Sequence, residues 1–351
     1  MGVNIIGTGS YIPENQVKNT AFSKKKFLNS DGSPFQATNE VIIEKFRAIT
    51  GINERRYVDK DLNTSDIAFF AAESAILDAN IDREDIDYII LAHNFGDVSW
   101  GSSQGDTLPS LASRVKNRLR IKNPKCVAYD ILFGCPGWIE GVIQGHAFIK
   151  SGIAKKCLVI GAETLSRIVD PYDRDSMIYA DGAGAVIIEL TNDSNGILAH
   201  NSASYTYEEA YFLFYGKSYH KTQKETRYIK MLGRKIYEFA VTHVPKAMAD
   251  CLEKSGIDIT EVKKVLIHQA NEKMDEAIIS RFYALYHMDV PKHCMPMTIG
   301  EFGNSSVATI PTLLDCLLNG KIENHNLTKG DVVIFASVGA GMNINAMVYK
   351  L

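Results

Sequence analysis

The chain has 351 residues, 46% of them hydrophobic and 23% charged, with a net charge of −3. That size suits two domains, or one domain of two halves, and the charge excludes a nucleic-acid binder that works by bulk electrostatics. No apolar run approaches the roughly 20 residues that span a bilayer, and "MGVNIIGTGSYIP" lacks the charged-then-apolar layout of a signal peptide.

In chain order, "AFFAAESAILDANI" (68–81) predicts a helix and "IDYIILAHN" (86–94) the strand after it. "KCVAYDILF" (125–133) predicts a strand, and "PGWIEGVIQGHAFIKSG" (136–152) a helix that ends at a glycine. "KKCLVIGAET" (155–164) and "GAGAVIIEL" (182–190) predict two more strands. The order then recurs. "VKKVLIHQAN" (262–271) matches the first of these strands, "MPMTIGEFGNSSVATIPTLLDCLLNG" (295–320) matches the stretch around Cys135, and "KGDVVIFASVGAG" (329–341) matches 155–164. In both copies a strand is expected to run into a glycine, then one special residue, then a helix. Cys135 and Asn304 hold that position, with helices running to Gly152 and Gly320.

The expected architecture is therefore an internally duplicated α/β fold, its halves spanning 1–195 and 196–351, with the active site at their junction. Ligands of open α/β sheets collect outside the carboxyl ends of the strands. The polar, aromatic stretch at about 201–230 predicts a cap-like insertion, and 23–40 a second surface excursion. The six cysteines, at 126, 135, 157, 251, 294 and 316, contain no CxxC pair. Neither a disulfide framework nor a metal site is expected, and the cytoplasm is the expected compartment.

Of these cysteines only Cys135 lies between two glycines with a proline directly behind it, in "FGCPGW". Proline suits a first helical turn, and glycine permits a sharp strand-to-helix turn. A thiol there meets free N–H groups and the positive end of the helix dipole, which favour thiolate. Read alone, it is as consistent with a buried structural cysteine as with a nucleophile. His268 is expected to end a strand and open the helix "HQANEKMDEAII" (268–279), where imidazole could exchange a proton or be satisfied by backbone. Asn304 could be a plain N-cap. The conjunction of Cys, His and Asn at strand-to-helix junctions carries the functional reading.

"VAYDILFGCPGW", "LIHQAN", "FGNSSVATIP", "DPYDRDSMIYADGAGAVIIE" and "VGAGMNINAMVY" resemble the β-ketoacyl-acyl-carrier-protein synthase III family of the thiolase superfamily. The resemblance spans nearly the whole chain and implies a five-layer αβαβα arrangement with mixed sheets. It implies an acyltransferase in which Cys135 takes an acyl group from a thioester. His268 and Asn304 then stabilise the enolate left when a malonyl thioester loses CO2, and attack of that enolate gives a 3-oxoacyl thioester. Backbone N–H groups of Cys135 and Ala340 would form the oxyanion hole, although the family usually has glycine at Ala340.

Arg174, Gly233, Asn271 and Lys273 match positions that line the pantetheine tunnel, hold CoA or meet the carrier, and Leu108 matches an acyl-pocket position reached from a partner subunit. The family's adenine-gripping Trp and Arg align with Lys45 and Ile49, which puts CoA as donor in doubt. The resemblance implies acyl-CoA or acyl-phosphopantetheine as substrate with no tightly bound cofactor, acyl carrier protein as partner, and a homodimer that continues a sheet through "KCVAYDI". Basic residues between Lys217 and Lys235 (Lys217, Lys221, Lys224, Arg227, Lys230, Arg234 and Lys235) are expected to rim the tunnel. An acyltransferase of specialised metabolism, making esters, amides or head-to-head products, is the alternative. A non-catalytic carrier-binding paralogue is disfavoured by retention of all three polar residues. A papain-like hydrolase is disfavoured because Cys135 lies mid-chain.

Overall fold

The computed structural model describes residues 1–222 and 225–351. The first part of the chain runs β1 (Gly2–Tyr11), β2 (Asn15–Lys18), α1 (Asn39–Thr50), β3 (Glu54–Tyr57), α2 (Thr64–Ala79), β4 (Tyr88–Ala92), α3 (Leu111–Arg118), β5 (Val127–Ile131), α4 (Gly137–Lys150), β6 (Lys156–Thr164) and β7 (Asp181–Thr191). It continues with β8 (Gly196–Ser204), β9 (Leu213–Lys217), β10 (Arg227–Met231), α5 (Gly233–Ser255), β11 (Val262–Ile267), α6 (Glu272–Ala284), α7 (Ile299–Phe302), α8 (Thr309–Leu318), β12 (Val332–Gly339) and β13 (Asn343–Lys350).

One mixed sheet has the order β1-β7-β6-β4-β5 and the other β11-β12-β13-β8. Their pairings repeat. β1 and β6 flank β7 antiparallel and β4 joins β6 parallel, while β8 and β12 flank β13 antiparallel and β11 joins β12 parallel. α4 and α8 lie between the sheets, where Trp138, Ile139 and Val142 of α4 meet Leu313 and Leu314 of α8, with Val159 and Phe335 from the two sheets in the same core. A helix apolar on nearly every side can satisfy itself only in such a central layer. Each of these large side chains contributes about 1.5–3 kcal/mol by leaving water. The outer layers are α2 and α3 on the first sheet and α5 and α6 on the second. This is the duplicated, mixed-sheet thiolase-like arrangement.

The repeat is incomplete in one place. Among the described residues the second sheet has no counterpart of β5, so no strand runs into Asn304 as the sequence pattern predicts. The chain passes alongside β11 there with a Val265 N–H to Cys294 C=O bond of 2.8 Å. Pro291 and Pro296 supply no N–H for a ladder, and His293 has a φ of 57° that no strand accommodates.

The expected insertion at 201–230 begins within the second sheet, because β8 runs on to Ser204 and pairs with β13. Beyond it, β9 and β10 form an antiparallel hairpin over the junction of the sheets. Lys230 of this hairpin is 3% exposed, so it is no part of a basic rim. Its Nζ bonds Asp170 at 2.7 Å and Asp173 at 2.8 Å, and Asp170 also accepts from Ser218 and Tyr219. One ammonium between two buried carboxylates fastens the hairpin to the body. Removing one partner of such a pair leaves an unpaired buried charge, at a cost of about 3–5 kcal/mol. Lys217, Lys221, Arg227, Arg234 and Lys235 are exposed, and Lys224 lies outside the described residues.

Candidate active site

The two sheets meet where β12 ends and α4 begins. Gly134, with φ 67°, turns the chain after β5, and Pro136 caps α4 as the last residue before its first turn. The backbones touch closely. A Cβ on Gly339 would stand 2.4 Å from the Cys135 nitrogen, and one on Gly134 would stand 2.6 Å from the Ala340 nitrogen. Only glycine permits this approach, and it sets the backbones of Cys135 and Ala340 side by side.

A cavity of about 350 Å³ opens beside this contact. Cys135, His268, Asn304 and Ala340 all line it, together with Asn94, Ser306 and Tyr179. The hairpin supplies Leu213, Phe214, Tyr215, Ile229 and Met231, and α5 and α6 add Ile236 and Met274. The lining is therefore mostly apolar, with a small set of polar groups among them, as suits a small-molecule site. Gly233 and Tyr237, exposed at the start of α5, mark the open side.

Cys135 is half-buried, and its Sγ accepts a hydrogen bond from Ser306 Oγ at 3.3 Å. Burial pushes its thiol up to about 11; Ser306 lowers it and Glu163 adds to the rise. The thiolate expected from the helix end alone is thus overridden by desolvation, and the resting group is the thiol.

His268 is 4% exposed, and its N–H bonds the Ala336 carbonyl at 2.9 Å. Burial lowers its ring to about 4, so the imidazole is neutral at working pH. Among the described residues Nδ1 has no hydrogen-bond partner. A proton is therefore better placed on Nε2, where it can be donated. α6 starts at Glu272, four residues beyond His268, because Asn271 caps it by accepting from the Met274 N–H at 3.1 Å. Gln269 pins the intervening turn through Pro296 and Thr298.

Asn304 N–H bonds Ile178 C=O at 3.0 Å, and its own carbonyl accepts from Ala180 at 2.8 Å. Its Oδ1 accepts from the Ser306 N–H at 2.8 Å. That oxygen closes a local side-chain turn and does not cap a helix, since Ser305 and Ala308 precede the helical stretches that follow, and the NH2 end remains as a donor for the cavity that Asn304 lines.

Residues 129–206 match the family described as 3-Oxoacyl-[acyl-carrier-protein (ACP)] synthase III, and residues 252–351 match its C-terminal part. Over 340 residues, covering 96% of this chain and 95% of the relative, the chain is 33% identical to beta-ketoacyl-[acyl-carrier-protein] synthase III 1 of Halalkalibacterium halodurans. It is 32% identical to the beta-ketoacyl-[acyl-carrier-protein] synthase III of Staphylococcus aureus, over 100% of this chain and 99% of that one. The crystal structure of 3-oxoacyl-[acyl-carrier-protein] synthase III from Aquifex aeolicus superposes with a TM-score of 0.81 at 31% identity, covering 100% of both chains.

The chain belongs to the 3-oxoacyl-[acyl-carrier-protein] synthase III family.

It is accordingly an acyltransferase of decarboxylative Claisen condensation chemistry. Among the described residues no cluster of His, Cys, Asp or Glu could hold a metal ion, and no helix is long and apolar enough to cross a membrane. The binding positions carried over from the synthase III resemblance are spread unevenly. Gly233 and Asn271 line the cavity. Arg174 lies outside the lining, with its guanidinium 5.3 Å from the Phe35 ring centre. Lys273 is exposed beyond the lining, and Leu108 is 88% exposed. Lys45 and Ile49 stand exposed on one face of α1, four residues apart. Sequence reasoning did not single out Ser306, Asn94 or Glu163. "GNSS" put Ser306 in view, but nothing local joins it to residues 143 and 212 positions away.

Proposed function

We propose that the chain condenses an acyl thioester primer with malonyl-acyl carrier protein, using Cys135 as nucleophile and His268 and Asn304 for the malonyl half, in fatty-acid initiation or a related pathway of the cytoplasm. The observation carrying this is the shared cavity, which the three side chains line together where the backbones at Cys135 and Ala340 pack closely. In the first half Sγ forms the new thioester, and the thiol proton ends on the departing pantetheine thiol. The N–H groups of Cys135 and Ala340 receive the oxyanion. In the second half the malonyl carboxylate leaves as CO2, and the electrons it leaves form an enolate whose oxygen takes hydrogen bonds from His268 and Asn304. The enolate carbon attacks the acyl-Cys carbonyl, and Sγ departs and regains a proton.

We also propose that both thioesters arrive on acyl carrier protein and that acyl-CoA is a poor donor. A Lys45–Ile49 pair cannot sandwich adenine, and losing such stacking costs about 1–3 kcal/mol. Arg234 and Lys235 flank the open side, with Lys217, Lys221 and Arg227 exposed on the hairpin above it, and an acidic carrier would be steered to them. Cys135 acylation should be faster from the carrier-bound donor than from the matched CoA ester, and raising salt should slow only the former markedly. Equal rates, or a carrier rate indifferent to salt, would refute this donor assignment.

The homodimer is proposed on the state of β5. It is the edge of its sheet, and exposed apolar Val127, Leu132 and Leu108 lie on or near it. An open edge with such neighbours calls for pairing. Strand-to-strand pairing across a two-fold axis would cover it and bring Leu108 toward the partner's acyl pocket. Sedimentation should give a dimer at micromolar concentration; a monomer there removes this assignment.

A further inference from the structure

Behind Cys135 a file of polar side chains runs into the protein. Ser306 Oγ donates to Sγ at 3.3 Å, and the same oxygen accepts from Asn94 Nδ2 at 3.2 Å. Asn94 Nδ2 also donates to Glu163 Oε1 at 2.5 Å. The two hydrogens of one amide are thereby divided between the carboxyl and the serine oxygen. Among the described residues the sulfur is the one acceptor that the Ser306 hydroxyl proton meets. Glu163, at the end of β6, is 1% exposed, and Asn94 follows β4, so the file crosses the first sheet and ends at the junction with the second.

The backbone of Ser306 is held for this purpose. Its φ is 53°, a left-handed conformation uncommon for residues other than glycine. The Asn304 side chain fixes it there through the 2.8 Å bond to the Ser306 N–H. A serine needed only to fill space requires neither that conformation nor a buried amide and carboxyl behind its hydroxyl. Observed strain of this kind at a ligand cavity points to a role in the site.

We propose that Ser306 is a further catalytic group, whose hydroxyl, oriented by Asn94 and Glu163, donates a hydrogen bond to Sγ of Cys135 whenever that sulfur carries negative charge. The proposal rests on Cys135 being the nucleophile. Charge appears on Sγ twice, when the thiol gives up its proton to attack the primer thioester, and when the tetrahedral adduct of the enolate collapses and expels Sγ. At both points Ser306 shares its proton without transferring it, so nothing needs to be restored between half-reactions. Hydrogen bonds to a charged sulfur are stronger than those to a neutral one, so the contact favours the charged states selectively.

The ionisable groups that face Sγ are Glu163, the buried Tyr179 and the neutral His268. Burial lifts Glu163 to about 8. Below that pH it is largely protonated and still accepts from Asn94, whereas above it the carboxylate opposes charge on Sγ.

The test is alkylation of Cys135 by iodoacetamide between pH 6 and 10, read by peptide mass, with no thioester present. Ser306→Ala and Ser306→Gly should each slow alkylation about tenfold at every pH in this range, which lies wholly below the thiol's titration, so that each variant reaches a given rate about one pH unit later. Glycine suits the positive φ, so the second variant keeps the loop geometry if alanine disturbs it. Asn94→Ala, which keeps the hydroxyl but frees it to rotate, should move the profile the same way by less. Glu163→Gln retains a carbonyl acceptor for Asn94 and removes the charge, so it should speed alkylation above pH 8. Ser306 variants that alkylate and titrate like the natural protein would overturn the proposal. A natural protein that alkylates as described but accepts no acyl group would instead overturn the functional reading and leave this one standing.

Discussion

Cys135→Ser should form no acyl-enzyme at a measurable rate, a loss of about three orders of magnitude or more. A hydroxyl is a weak nucleophile unless a base removes its proton, and His268, held near 4 by burial, is too feeble a base for a serine. Intact-mass measurement after incubation with a panel of acyl thioesters reads this directly. Labelling of the natural protein should also climb steadily from pH 7 to pH 10 without a plateau, because the thiol lies near 11 and its thiolate fraction rises tenfold per unit below that value. Acylation of the serine variant at the natural rate would end the assignment of Cys135.

His268→Ala and Asn304→Ala should do the opposite, leaving self-acylation intact while CO2 release from the malonyl thioester falls about a hundredfold to a thousandfold. Each removes one donor from the enolate oxygen, and losses of that order follow deletion of a single oxyanion donor. The pH dependence has a definite sign. With its pKa lowered to about 4, His268 is neutral above that value, so the donor it offers is the same between pH 5 and 8 and gains positive charge, without losing its N–H, only as the pH falls toward 4. Trapped CO2 from radiolabelled malonyl thioester measures it. Variants that lose labelling but keep decarboxylation would invert the division of roles.

The junction residues were legible because each leaves a local mark. Glycine before Cys135 and proline after it announce a sharp turn into a helix, and the strand periodicities announce two sheets of the same kind. The missing fifth strand was not legible, because the apolar residues of 293–298 look strand-like, and only the prolines and the left-handed His293 prevent pairing. The place of Lys230, buried and not on a rim, escapes the sequence for a related reason. In sequence it is one of seven basic residues near one acid, whereas its partners Asp170 and Asp173 come from a loop nearly 60 residues earlier. The file from Glu163 to Cys135 has no local signature either, since Asn94 and Ser306 are 212 positions apart. Contacts assembled by tertiary folding leave no periodicity to read.

The cavity that Cys135 lines is lined also by His268 and Asn304, so on the proposed function both half-reactions would use one space of about 350 Å³ and the two thioesters would enter it in turn. Turnover is therefore a queue. The spent thiol of the first donor must withdraw before the second thioester can enter, so the two substrates are rivals for the empty protein and succeed one another only on the acylated one. An excess of the extender delays the primer, and flux is greatest at an intermediate ratio of the two. On the proposed function the balance of the two substrates would thus itself set the rate.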